Sequence, residues 1–551
     1  MSEPVQSVAN AHAFVQRLID LGLKHAVVSP GSRNAPLSIS LARAAEQGQL
    51  TLHVRIDERE AAFLALGLSK HSGIPTLVCC TSGTAAVNFA PAVTEAFYSQ
   101  VPLVVLTADR PAGAAARGAS QSIEQASLFS PHTVANLTVQ ETADAGAAAD
   151  RARIAWNASL GAQRGPAHVN MHLAEPLLSP VDSWPQIAPV NPVPAREPAA
   201  VEVEISDLPQ LGAKPVMVIG EVPQHQRDSV AAALEAARSL QIPVLMEPTA
   251  GVRPPNLAIT HHALVADSFI DEVSAVVSIG RFGLGRHLRR LCERTPLHIA
   301  FAALGRGGDP YATADTVLPL EQCASSLSRS TAANNDWLER WLTADRAADA
   351  HVRTQMGEWA EQPTGAHIAD EVLTAATEAG AVVFAAASRA IRDVDLMCPA
   401  DAADVVANLG VNGIDGLVST AVGLALQSST HTYALLGDLA FLHGSNGLLI
   451  PNDEPQPNLT IVVNDDNGGA IFSDLEQGAP EFQPWFERVF GTPHDVDLVA
   501  LARAYGATAV EVFDLSQLRS ELKPATGIKV VVVVGADREL SREFRASLRR
   551  R

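Results

Sequence analysis

Three α/β domains, each a mostly parallel sheet flanked by helices, are predicted by three features of this 551-residue chain. Short apolar runs recur in three blocks, helix-length amphipathic stretches separate the runs, and a proline-rich segment divides the first block from the second. Strands covered by helices on both faces have no solvent side, so they read as unbroken apolar runs and not as alternation. The length also exceeds what a single core serves.

The first block carries "HAVVSP", "LHVRID", "PTLVCCT" and "PLVVLTAD", which places the N-terminal domain at residues 1–182. Residues 183–200 belong to "LLSPVDSWPQIAPVNPVPAREPAA", whose prolines sustain neither a helix nor a central strand and suit a linker. "PVMVIG", "IPVLME", "AVVSIG" and "PLHIAF" place a central domain at 201–345, ending in a Ser-, Ala- and Asn-rich stretch that turns into helix. "AVVFAAAS", "TYALLGD", "LTIVVND" and "IKVVVVVG" place the C-terminal domain at 346–551. No short tandem repeat is visible.

Composition narrows the class. Apolar residues make up 47% and charged residues 18%, as in a soluble globular enzyme. The formal charge of -20, with no long Lys/Arg block, argues against nucleic acid and against anionic membrane surfaces. Anionic ligands then require arginines concentrated where they bind. The N-terminus lacks a basic flank with an apolar core, and no apolar run reaches the roughly 18 residues of a membrane span. A cytoplasmic protein without a membrane span is expected. Cys79, Cys80, Cys292, Cys323 and Cys398 are scattered without metal-ligand spacing and read as reduced core thiols.

In open parallel sheets ligands gather at the carboxyl ends of strands, so the residues that end each run are the candidates. Gly31, Ser32 and Arg33 follow the first run; Asp57, Glu58 and Arg59 follow the second. Ser82, Gly83 and Thr84 follow the third, and Asp109 and Arg110 end the fourth. In the last block "AAASRAIRD" supplies Ser388 and Arg392, "LLGDLAF" supplies Gly437 and Asp438, and Asp466 lies 28 positions beyond Asp438 in "VVNDDNGG". Acidic groups one crossover apart can converge on a cation, while a helix starting at Leu439 offers N–H groups to an anion. A diphosphate bridged to Mg²⁺ satisfies both, with Gly468 giving its carbonyl. The same residues are also ordinary turn composition, so either piece alone decides nothing.

The ordered set "PGSRNAPL", "DEREAAFLALG", "TSGTAAVN", "TADRP", "GIDGLVSTAVG", "GDLAF" and "NDDNGGAIF" resembles the thiamine-diphosphate enzymes. Within them it is most similar to the menaquinone-pathway synthases of the MenD family, clearly in the first and last domains and more weakly in the middle. The resemblance implies a thiamine-diphosphate-binding fold with a central cofactor-free domain. It also implies a homodimer or homotetramer whose cofactors lie between the first domain of one subunit and the last domain of another. It gives Glu58 the catalytic role of holding the cofactor's pyrimidine N1' in the form that favours the imino tautomer. Gly83, Ser388, Ile414, Gly437, Asp438, Leu439 and Ile471 are then cofactor-binding, and Asp438, Asp466 and Gly468 hold Mg²⁺, or Mn²⁺, which also prefers oxygen ligands.

The family reaction joins 2-oxoglutarate, after loss of CO₂, to isochorismate. Both substrates are dianions, for which arginine forks are suited. Arg33, Arg110, Arg286 and Arg392 match substrate-binding positions, with Ser32, Gln121 and Ser388 as neutral partners. Phe472 and Leu475 match, with Ile471, an apolar wall that would exclude water. Two departures stand out. Leu409 occupies the place of a family arginine, and Asp466 stands where many relatives have Asn. The first leaves open another thiamine-diphosphate 2-oxoacid decarboxylase or carboligase; no G-x-G-x-x-G follows any strand, against a NAD fold. Arg281 and Arg306, at or after central strand ends, could form a regulatory acid site.

Overall fold

The computed structural model describes residues 4–188, 209–251, 254, 256–302, 308–334 and 336–549. Three six-stranded sheets organise these residues, and every strand pairing is parallel. In the first, β1 (His25–Val28), β2 (Thr51–Val54), β3 (Thr76–Cys80), β4 (Leu103–Asp109), β5 (Ala135–Val139) and β6 (Pro166–His172) take the order β2-β1-β3-β4-β6-β5. The middle sheet has β7 (Pro215–Ile219), β8 (Val244–Met246), β9 (Ala258–Ile259), β10 (Ala275–Ile279), β11 (His298–Ala302) and β12 (Thr316–Pro319), ordered β12-β11-β10-β7-β8-β9. The third has β13 (Val382–Ala385), β14 (Asp404–Val406), β15 (Thr432–Gly437), β16 (Leu459–Asp465), β17 (Thr508–Val512) and β18 (Ile528–Val534), ordered β14-β13-β15-β16-β18-β17.

Packing divides the chain into two compact units. One is the first sheet with Asn408–Gln427 and His443–Pro457; the other holds the middle and third sheets. The expected linker begins inside the first core: Trp184 and Ile187 are buried, and Arg43 stands over the Trp184 ring at 5.7 Å. Residues 189–200 lie outside the described residues. In the second unit the helix Trp337–Glu358 runs through the expected boundary at 345/346, anchored on the middle sheet by fully buried Trp337 and Trp341. All five cysteines are free and buried, and burial pushes the Cys79 and Cys292 thiols up to about 12. No helix among the described residues is long and apolar enough to cross a membrane.

The helix that positions Glu58 is specified locally at both ends. Asp57 caps it by accepting from the Arg59 and Glu60 amides, and Gly73 at φ 68° ends it in the left-handed region. Glu58 and Glu60 occupy its first turn and Lys70 and His71 its last, complementing the helix dipole. Its interior is buried against the helix Leu417–Gln427, and the Ser419 hydroxyl donates to Glu60 at 2.5 Å. The crossing needs two glycines. A Cβ on Gly67 would stand 2.2 Å from the Thr420 carbonyl oxygen, and one on Gly423 would stand 2.4 Å from that of Leu64.

Gly→Ala inside a helix ordinarily gains about 1 kcal/mol of propensity. Overpacking against backbone costs about 1–3 kcal/mol, so Gly67→Ala is expected to be a net destabiliser. Urea unfolding should show a lower midpoint; an unchanged or higher one would mean that the two helices separate freely.

Candidate functional site

Parallel pairing aligns Gly437 of β15 with Asn464 of β16, so the ends of these strands lie side by side. Asp438 starts the seven-residue helix Asp438–Gly444, and its buried carboxylate accepts from the Leu439 amide at 2.6 Å and the Gly468 amide at 2.6 Å. Thus Gly468 meets Asp438 through its N–H. Burial pushes the Asp438 carboxyl up to about 6, against those two amides, and Asp465 adds to the rise. Asp438, Asp465 and His494 each bring one donor atom within 4.8 Å of the others. Asp466 lies beside this set, its pKa raised well above the usual range by burial and then by Asp438. Leu439 is half-buried, as are Ile471 and Phe472, which lie on the short turn Ala470–Asp474 with the Phe472 ring 5.7 Å from Phe490; Leu475 is 36% exposed. Ser388 precedes the helix Arg389–Met397 at φ 73°, a conformation that an L-residue holds only when its surroundings fix it. Its carbonyl accepts from Arg392 at 2.5 Å.

The first sheet brings a second group together. Glu58 is half-buried at the carboxyl end of β2. After β3 and β4, Arg110 donates to the Ser82 hydroxyl at 2.8 Å and to the Gln121 carbonyl at 2.7 Å. Gln121, at φ 55°, returns its side-chain amide to the Ser82 carbonyl at 3.0 Å, and the Gly83 amide donates to Gln125 at 2.8 Å. Ser32 is exposed after β1; Arg33 donates to the Leu173 carbonyl at 3.0 Å and pairs with Glu175 at 3.3 Å. Ile414 is half-buried in this same unit, three residues before the helix that crosses the Glu58 helix.

Arg286 is exposed at the first position of the helix Arg286–Arg294 after β10. The loop before it is held by Glu247, at the end of β8, which accepts from the Gly283 and Leu284 amides, each at 2.7 Å. Burial, helped by Asp395, pushes the Glu247 carboxyl up to about 8 despite those amides. Arg281 pairs with Glu221, and Arg306 lies outside the described residues.

His494, Gln125 and Glu247 are not singled out by the sequence, and Asp465 appears there only as part of the acidic, glycine-rich turn at 464–469. Asp465 is adjacent to a candidate, whereas His494 lies in the unremarkable "GTPHDVD" and reaches Asp438 only through the folding of the chain between them. The polar set fits the expected cofactor and cation: two carboxylates face one spot, Asn464 Oδ1 is buried without a partner, and a Cβ on Gly437 would meet nothing within 4 Å.

Two family models match this chain. Residues 9–128 match the thiamine pyrophosphate enzyme N-terminal TPP binding domain, and residues 405–536 match the C-terminal TPP binding domain. Fold and site thus define a thiamine-pyrophosphate-dependent enzyme. A 2-succinyl-5-enolpyruvyl-6-hydroxy-3-cyclohexene-1-carboxylate synthase of Nocardioides sp. is 38% identical, with 98% of each chain covered. Those of Kineococcus radiotolerans and Thermobifida fusca are 39% and 38% identical, covering 91% and 98% of this chain and 90% and 98% of theirs. The chain belongs to the 2-succinyl-5-enolpyruvyl-6-hydroxy-3-cyclohexene-1-carboxylate synthase family.

Glu247 gives a pH signature. Between its ordinary value of 4.5 and about 8 the folded chain holds the proton more tightly than the unfolded one. Stability from this group is therefore complete at low pH, falls as pH rises through that window, and is lost above it. Glu247→Gln keeps the Oε1 acceptor without the charge, so its thermal stability should fall less between about pH 6 and about pH 9 than that of the wild type. Parallel curves would show that Glu247 does not carry the slope.

Proposed function

We propose that this enzyme makes 2-succinyl-5-enolpyruvyl-6-hydroxy-3-cyclohexene-1-carboxylate in the cytoplasm for menaquinone biosynthesis. It takes 2-oxoglutarate and isochorismate and releases CO₂. The observation that carries the reading is end-to-end similarity to relatives named for this product. Thiamine diphosphate supplies the electron sink that permits loss of CO₂ and formation of the new carbon–carbon bond.

The residues then divide the work. Glu58 receives the cofactor's pyrimidine edge and sets its protonation at N1'. Asp438, Asp466 and Gly468 hold Mg²⁺, with Mn²⁺ as an alternative, and Asp465 adds a fourth oxygen source. Gly83, Ser388, Ile414, Gly437, Leu439 and Ile471 complete the cofactor site. Arg110 and Arg392 are oriented by the neutral oxygens of Ser82, Gln121 and Ser388, which leaves their charge for a dianionic substrate. Arg33, Arg286, Ser32 and Gln121 serve the remaining carboxylates and hydroxyls, while Phe472 and Leu475 exclude water. The family resemblance is what supports a homodimer or homotetramer with cofactors shared between subunits.

Protein supplied with Mg²⁺, thiamine diphosphate and 2-oxoglutarate is expected to consume isochorismate with release of CO₂, and absence of any isochorismate-dependent product would remove the assignment. Glu58→Gln should lower turnover at least about 10²-fold while the cofactor still binds. A second reading, another thiamine-diphosphate 2-oxoacid decarboxylase or carboligase, is favoured by one observation: Leu409, where the family pattern has arginine, is buried. A screen of 2-oxoacids separates the two, since a strong preference for pyruvate would support the second.

A further inference from the structure

His494 looks at first like a third metal ligand. Its Nε2 lies 3.2 Å from Asp438 Oδ2, and it shares the cluster with Asp465. The opposite ring nitrogen decides the matter. Nδ1 accepts the Val496 amide at 3.3 Å, so Nδ1 presents a lone pair there. A neutral imidazole has one N–H, which then sits on Nε2 and points at Asp438. A metal on Nε2 would force the proton onto Nδ1, where it would oppose the Val496 N–H, donor against donor. The His494 backbone adds a second tie, its amide donating to Asn467 Oδ1 at 2.8 Å. His494 thus grips both the carboxylate after β15 and the turn after β16.

We propose that His494 is a positioning residue of the cation centre: it donates Nε2–H to Asp438, aims that carboxylate, and leaves the ion an all-oxygen shell. This rests on the reading that Asp438 holds the cation. Oδ2 receives both the Gly468 amide and the imidazole, and Oδ1 receives the Leu439 amide, so the carboxylate plane is fixed while each oxygen keeps electron density for an ion. An oxygen shell suits Mg²⁺ and Mn²⁺, whereas an imidazole ligand would move preference toward Ni²⁺ and Zn²⁺. His494 would therefore set affinity without setting selectivity.

Two measurements on the full-length protein with thiamine diphosphate test this. In the first, Mn²⁺ is the probe, and pulsed electron paramagnetic resonance compares protein with ordinary and ¹⁵N-labelled histidine. The expected spectrum has no coupling from a directly bound histidine nitrogen; one that changes with the label would overturn the proposal. In the second, Mg²⁺ and Ni²⁺ affinities are titrated for wild type, His494→Ala and His494→Gln. The Ala variant should weaken both ions by a common factor of about 10–100, the usual effect of losing a group that orients a ligand. The Gln amide can still donate, so it should recover much of that loss. A Ni²⁺-to-Mg²⁺ preference that collapses in the Ala variant would instead make His494 a ligand. Should the Ala variant not fold, the wild-type spectrum decides alone. Protein that binds neither ion in the presence of thiamine diphosphate would remove the cation from Asp438 and the proposal with it.

Discussion

A single buried carboxylate, that of Asp438, holds the ligand edge of the third sheet together. It can do so because β15 and β16 pair in parallel with Gly437 opposite Asn464, which places two strand ends within hydrogen-bonding reach. The turn after β16 then has to bend sharply, and it does so through Asn467 at φ 56° and Gly468 at φ 134°. Only glycine fits the second position, where a Cβ would stand 2.0 Å from the Gly491 carbonyl oxygen. That close approach lets the Gly468 amide reach Asp438. Burying a carboxylate beside Asp465 and Asp466 raises its proton affinity, and a divalent cation would reverse the shift by favouring the charged form.

The first unit places its acids at a helix start, with Asp57 as the cap and Glu58 and Glu60 in the first turn. Its one candidate catalytic carboxylate, Glu58, opens a helix, where the dipole favours negative charge. Rigidity comes from the surroundings. The Asn446 side chain donates to Asp57 at 2.9 Å, and Arg59 donates to the His443 carbonyl at 2.8 Å. Residues 443–457, which begin with the last two residues of the helix Asp438–Gly444, therefore fasten the cap of the Glu58 helix.

Much of this was legible in the sequence, for identifiable reasons. Strands buried on both faces, such as β3, β4, β15 and β16, must be apolar throughout and announce themselves. β5, β9, β12, β14 and β17 lie at sheet edges, where shorter runs and mixed composition suffice, and they were not among the predicted runs. β6 is interior yet was also missed, because His168 and Asn170 within it feed a buried polar network with Thr107 and Gln125. Position at the strand ends is enough to nominate candidates such as Asp438 and Glu58, since parallel topology dictates where loops converge, whereas their roles come from the family resemblance. His494 is not nominated in this way, because its contact with Asp438 spans 56 residues and depends on the irregular turns between them.

Leu409, where the family resemblance leads one to expect arginine, sits in a loop whose shape is set by other residues. The loop at 408–411 keeps its backbone geometry through Glu95, which accepts from the Gly410 and Val411 amides, each at 2.8 Å, and is itself held by the Ser99 hydroxyl at 2.6 Å. Asn408 adds a bond to the Thr420 hydroxyl at 3.0 Å, and Leu409 tucks inward between these anchors. The loop therefore owes its shape to a buried carboxylate and an amide, and these bonds do not involve the side chain at position 409. Lys70 is the cation that remains beside it, 3.9 Å from Glu95 and 3.5 Å from Asn408, but it is engaged inward with Glu95. A lysine so placed balances Glu95 and leaves no fork for a bidentate carboxylate. Among the candidate arginines, Arg110 and Arg392 donate to neutral oxygens, whereas Arg33 also pairs with the Glu175 carboxylate.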